Sequence, residues 1–243
     1  MKDISIIGFG NFGKFIANIL NKYFNIYIYD SNLKDNSQFN YNFVSLEEAL
    51  KKEIIIIAIP VQFIENFLKQ NKPFINKNSL FIDVCSVKKK PLFLLEKYLY
   101  ATNEIIGTHP LFGPNSAKSG IEGHRIVVSP VRSNKIDLII NFLKEKLKLS
   151  VILKDADQHD REMAMIQGIS HFLAKALNDI GIKDSEMKTV TFDYLLKMTE
   201  ILKNDSSDLF WTIENENPYA LELREALINK LIQINEDLKN GLK

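Results

Sequence analysis

The sequence predicts an α/β fold: a doubly wound parallel sheet over residues 1–154, followed by an all-α domain over residues 155–243. Three observations carry this reading. Short β-branched runs alternate with segments of helical periodicity as far as Lys154. A glycine-rich turn, GFGNFG at 8–13, joins the first such run to the first helical segment. Beyond Asp155 the strand signals cease, and three stretches repeat apolar residues at helical spacing.

In order, DISII (3–7) reads as a strand, and the helix after the glycine turn carries Phe15, Ile16, Ile19 and Leu20 on one face. The strand IYIY (26–29) ends at Asp30, and a polar loop runs to about Asn42. SLEEAL holds the Ser-x-x-Glu signature of a capped helix start. The run IIIIAIPV (54–61) is far too short to cross a bilayer, which takes ~20 residues, and reads as a strand buried on both faces. A helix to about Gln70, a strand SLFIDV (79–84), a helix in PLFLLEKYL and strands at EIIG (104–107) and RIVVS (125–129) follow. A helix over Lys135–Leu147 and a strand SVILK (150–154) close this half. Strands alternating with helices imply right-handed crossovers and a parallel sheet covered on both faces. The second domain is expected to consist of helices at Glu162–Ile180, Asp193–Leu202 and Leu221–Leu238. Their apolar stripes exceed what a few small helices bury alone, so a homodimer through the C-terminal helices is expected.

Lys and Arg total 31 against 30 for Asp and Glu, and a net charge of +1 gives no reason to expect nucleic acid or an acidic membrane surface as partner. A small molecule is the expected partner. The lone cysteine, Cys85, reads as a buried, inert thiol, and the N-terminus lacks the unbroken apolar core of a secretory signal, so a reducing cytoplasm is the expected location.

Gly8, Gly10 and Gly13 satisfy G-x-G-x-x-G directly between a strand and a helix. In a Rossmann-type domain the first glycine permits the tight turn, the second lets backbone approach a pyrophosphate, and the third allows close helix–strand packing. Asn11 and Phe12 inside this turn, and Pro60 after the strand beginning at Ile54, complete the expected cofactor-binding set. Asp30 stands near the spacing at which an acid accepts hydrogen bonds from ribose hydroxyls, which favours NAD over NADP; Lys34 argues the other way. Ser86 and Lys88 lie just past a strand end, where open α/β sheets bind ligands. Ser86 either orients a base or caps the next helix, and Lys88 either offers a cation to a carboxylate or is solvated. His109, after EIIG, reaches the same rim as a candidate base. No metal-ligand spacing occurs. These residues alone imply a dinucleotide-dependent oxidoreductase acting on a small carboxylated alcohol.

Four segments in order, GFGNFG, DVCSVK (83–88), GTHPLFGP (107–114) and QHDREMAMIQGISHF (158–172), resemble the prephenate and arogenate dehydrogenase family. The resemblance implies NAD-dependent oxidation of a cyclohexadienol ring with loss of its carboxylate, giving 4-hydroxyphenylpyruvate from prephenate or tyrosine from arogenate. It implies that His109 takes the proton of the ring hydroxyl and that Ser86 helps to hold His109. It further implies that the helix carrying Gln167, Ser170 and His171, which share one face, lines the substrate cleft and enters a dimer interface. His159 and Asp160 read as a helix-start cap and a first-turn acid. The position that aligns with the family's carboxylate-binding arginine is Glu200, so either Lys197, Lys203, Arg161 or Arg224 supplies the cation or the alignment slips by a turn. The competing readings are a hydroxyacid or imine-reducing dehydrogenase of the same plan, and a catalytically silent NAD-binding sensor.

Overall fold

A computed structural model describes residues 2–32, 36–203 and 205–241 and divides the chain into two compact units, Met1–His159 and Asp160–Lys243. The division falls five residues beyond the expected 154/155 boundary, inside a helix rather than before it.

The first unit runs β1 (Asp3–Ile7), α1 (Asn11–Leu20), β2 (Asn25–Tyr29), β3 (Asn42–Phe43), α2 (Leu46–Leu50), β4 (Ile54–Ile57), α3 (Val61–Asn71), β5 (Leu80–Asp83), α4 (Lys89–Tyr98), β6 (Glu104–Pro110), β7 (Arg125–Arg132), α5 (Ile136–Asn141) and β8 (Ser150–Leu153). The strands form one sheet in the order β3-β2-β1-β4-β5-β6-β7-β8. Because side chains alternate across a strand, its apolar residues divide between two cores. Ile4, Ile6, Ile28 and Ile56 pack on one face with Ala17 and Leu20 of α1 and Leu143 beyond α5. Ile7, Ile55, Ile57 and Phe81 pack on the other with Leu50 of α2, Ile64 and Leu68 of α3 and Leu95 of α4. This is the doubly wound α/β arrangement that the alternation predicts.

One expectation is corrected. The sheet is parallel except between β6 and β7, which pair antiparallel with His109 opposite Val127. Residues 111–124 carry no helix, and a crossover back to a parallel neighbour is usually made through one. The β6 strand also runs on through His109 to Pro110, where the sequence reading ends it at Gly107.

The second unit begins within α6 (Ala156–Met163), which continues through a π-helical turn, Ala164–Gly168, into α7 (Ile169–Ile180). Gly181 ends α7 at φ +81°, the left-handed conformation that glycine adopts without strain. Thr189 caps α8 (Val190–Leu202) by accepting from Phe192 N–H, and Ser206 caps α9 (Ser207–Trp211) by accepting from Leu209 N–H. A second π-helical turn, Thr212–Glu216, leads to α10 (Ala220–Lys239). The three expected helices are present; α9 and its π turn are additional. Among the described residues, no helix is long and apolar enough to cross a membrane.

Candidate active site

The strand order reverses at β1, with β2 on one side and β4 on the other, and such a switch point opens a crevice at the carboxyl ends of the strands. The glycine loop sits there. Gly8 has φ +103°, and a Cβ on it would lie 2.6 Å from the carbonyl oxygen of Ala58, so the turn after β1 is pressed against the turn after β4. A Cβ on Gly13 would stand 2.1 Å from Gly8 O, which is why α1 starts so close to the strand. Gly10 is different: a Cβ there meets nothing within 4 Å. Gly10 caps α1 without a side chain to bond the first amides, so open space lies before a helix N-terminus, a fit for the pyrophosphate of a nucleotide. Asn11 is exposed at the first helical position, Phe12 is half-buried against Phe15, and Pro60 caps α3 beside the loop. Phe9, buried against Phe39 and Phe43 with ring centroids 5.0 and 5.3 Å away, pins the loop to the sheet edge.

Asp30, at the end of β2, accepts from Phe9 N–H at 2.6 Å and from Asn32 N–H at 2.7 Å. It therefore ties the glycine loop to the β2 turn. Lys34 lies outside the described residues.

The turn after β5 departs from expectation. Lys88 is fully buried and ion-paired with Asp83, also fully buried, instead of being presented to a ligand. Gly107 explains the burial: a Cβ on it would lie 3.2 Å from Lys88 Cδ and 2.9 Å from Leu92 Cδ1, so its missing side chain makes the slot that the lysine stem fills. Asp83 also accepts from Cys85 N–H at 3.0 Å, and its carbonyl accepts from Thr108 Oγ1 at 2.8 Å, locking β5 to β6. Burial pushes the Cys85 thiol up to about 12, consistent with an inert cysteine. Ser86 is partly buried in this turn.

His109 stands two positions beyond Gly107, which pairs with Asp83, so it projects from the same carboxyl edge as the glycine loop. It is 4 % exposed. Its Nδ1 lies 2.9 Å from Nε2 of His159, itself buried, with the rings edge-on at 67°. The resemblance pairs His109 with Ser86; in the structure the Nδ1 edge of the ring faces His159. Nor does His159 cap its helix. Asp155 does so, its Oδ1 accepting from Gln158 N–H at 2.8 Å, and this sets His159 on the first turn, pointing inward. Sequence reading missed Asp83 and the His109–His159 pair. A lone acid closing an apolar strand in SLFIDV was the available signal for Asp83.

Within the second unit, His171 is buried; its Nδ1 donates to Gln167 O at 2.9 Å and its Nε2 lies 3.2 Å from Asp205 Oδ2. Ser170 Oγ donates back to Ile166 O at 2.8 Å, and the amide oxygen of Gln167 is buried with no hydrogen-bond partner. Glu200 is exposed. Of the candidate cations, Lys197 pairs with Asp193 at 2.6 Å, and Arg224 with buried Glu214 at 2.6 Å. Burial pushes the Glu214 carboxyl up, against the pull of Arg224. Arg161 stacks over Tyr219 at 4.2 Å.

Several known proteins are similar to this chain. A probable arogenate/prephenate dehydrogenase of Methanocaldococcus jannaschii is 27% identical, covering 98% of this chain and 57% of its own length. Arogenate dehydrogenase 2 of Arabidopsis thaliana, a chloroplastic protein, is 29% identical over 92% of this chain and 66% of its own. The chain thus spans somewhat under two thirds of the length of these relatives. The crystal structure of prephenate dehydrogenase from A. aeolicus, in complex with hydroxyphenyl propionate and NAD+, has the same fold, with a TM-score of 0.75, 21% identity and coverage of 99% of this chain and 92% of that one. Residues 176–243 match the TYRAAT1-like C-terminal domain family. Residues 24–153, more than half of the chain, match the prephenate dehydrogenase nucleotide-binding domain, and the protein belongs to that family.

Proposed function

We propose that this protein is an NAD-dependent dehydrogenase that converts prephenate to 4-hydroxyphenylpyruvate, with arogenate, and tyrosine as its product, as the alternative. The observation that carries the reading is the one sheet edge shared by an open helix N-terminus at Gly10, the ribose-type carboxylate Asp30 and the buried imidazole of His109. Bound NAD supplies the acceptor for the hydride that leaves the carbon bearing the ring hydroxyl. His109 takes the hydroxyl proton as that carbon becomes a carbonyl, a task for which a neutral imidazole is suited near neutral pH. Loss of the carboxylate as CO2 then returns an electron pair to the ring and makes it aromatic; the proton held by His109 goes back to the resulting phenolate oxygen. In this reading Ser86 is a rim hydroxyl near the substrate, and Gln167, Ser170 and His171 are the helical unit's substrate-facing candidates. Asp30 favours NAD, because a 2′-phosphate would meet it with like charge.

The helical unit exposes Met165, Ile166, Leu231, Ile232, Ile234 and Leu238, apolar side chains that support a homodimer through these helices. A monomer by light scattering at micromolar concentration would remove the dimer. The function is tested by NADH formation from NAD with prephenate and, separately, with arogenate, alongside His109→Asn. Turnover of either substrate, lost in the variant while NAD still binds, is the expected outcome. No turnover of either despite NAD binding would overturn the reading in favour of a sensor.

A further inference from the structure

We propose that His159 is a positioning residue that fixes the tautomer of His109. The inference rests on the reading of His109 as the base, and begins from a chemical constraint. Two imidazole nitrogens 2.9 Å apart form one hydrogen bond, so one must carry a proton and the other must not. If His109 Nδ1 donates, its Nε2, on the opposite edge of the ring, is bare and accepts a proton from substrate. If His159 Nε2 donates, His109 holds its proton on Nε2 and presents a donor where the reaction needs an acceptor. Proton abstraction at Nε2 therefore requires the first arrangement, in which His159 is neutral with its own proton on Nδ1. One bond sets both tautomers.

Several features hold the pair in register. His109 is on a strand fixed on both sides, to β5 through Asp83–Gly107 and to β7 through Val127. His159 is on the first turn of a helix whose start is fixed by the Asp155 cap, and its own N–H donates to Asp155 O at 3.0 Å. At 4 % and 2 % exposure both rings are shielded from bulk water, which favours their keeping each other as partners. A neutral partner also has a distinct effect. When His109 takes a proton, the Nδ1–H bond to His159 becomes charge-assisted and strengthens, yet no buried carboxylate need be desolvated to provide it.

The test uses the full chain labelled with nitrogen-15 in histidine; with four histidines in the sequence, single variants assign the spectrum. The wild type should carry the His109 proton on Nδ1. In His159→Leu that proton should move to Nε2, and kcat should fall at least tenfold while NAD affinity stays within twofold. In His159→Gln, whose amide oxygen reaches the position of the ring Nε2, the Nδ1–H form and most of kcat should return. A wild-type His109 protonated on Nε2 would overturn the proposal directly, even if the leucine variant failed to fold. So would a leucine variant with unchanged tautomer and kcat. Full turnover in His109→Asn would instead remove the base reading, whichever tautomer the spectrum shows.

Discussion

Replacing Gly10 with Ala separates the proposed nucleotide-binding role of the glycine loop from its structural one. Gly10 has φ −66° and ψ −169°, backbone that any residue adopts, and its new Cβ would meet no atom within 4 Å. Alanine is a poorer N-cap than glycine by up to ~1 kcal/mol, but it lowers the entropy of the unfolded chain by ~0.4–1 kcal/mol, so the two effects offset. The melting temperature should change by no more than about 3 °C, since ~1 kcal/mol moves a chain of this size by ~2–4 °C. On the proposed placement of the pyrophosphate, however, the methyl would fill the space in which it meets the amides of α1. Losing one charge-assisted hydrogen bond there costs ~1.5–3 kcal/mol, or about 10- to 150-fold in affinity. Gly13→Ala should behave in the opposite order. Its Cβ would stand 2.1 Å from Gly8 O, so α1 must shift on the sheet at a cost of ~1–3 kcal/mol or more before any ligand is added. The assays are calorimetric titration with NAD and thermal melting of each variant without it. A Gly10→Ala protein that binds NAD with wild-type affinity would refute the placement of the pyrophosphate; one that melts far below wild type would refute the reading of Gly10 as open space.

Three further predictions address side chains. Lys88→Met leaves Asp83 buried without its counter-charge, so stability should fall by ~3–5 kcal/mol, seen as a melting temperature lower by on the order of 10 °C; a variant of normal stability with a raised KM would restore Lys88 to a substrate role. Asp30→Ala removes the acceptor of Phe9 N–H and Asn32 N–H as well as the ribose-type carboxylate. NAD binding should weaken at least tenfold and discrimination against NADP should relax, whereas an unchanged ratio of the two affinities would remove that role. For Glu214, burial raises the folded-state pKa above the ordinary glutamate value of 4.5, so the folded protein binds the proton more readily than the unfolded chain. The resulting stability is present below that value and is lost as pH rises through the raised folded pKa. The stability difference between wild type and Glu214→Gln, from urea unfolding at a series of pH values, should therefore shift against the wild type as pH rises above 4.5; the opposite slope would contradict the burial argument.

How much was legible in the residues differs by element. The strand–turn–helix at 3–20 and the strands at 26–29 and 54–57 are encoded locally, because β-branched runs, glycine spacing and helical periodicity act over a few neighbouring residues. The same holds for the helices at 156–180 and 220–239. The glycine turn was readable for the same reason: its three glycines stand within six residues of one another, directly between a strand and a helix. The direction of β7 was not, since pairing depends on the path of residues 111–124, which carry no periodic signal. Nor was the fate of Lys88, whose burial depends on the absence of a side chain at Gly107, on a different strand. His159 shows the limit most clearly. It lies 50 residues from His109 and reads as part of a polar helix start, and only the packing of that turn against β6 turns its ring toward the other. Sequence by itself determined the layers and the glycine turn between the first strand and helix; tertiary structure decided which groups are paired, because ring-to-ring and ion-pair contacts are set by register and packing between segments that share no local pattern.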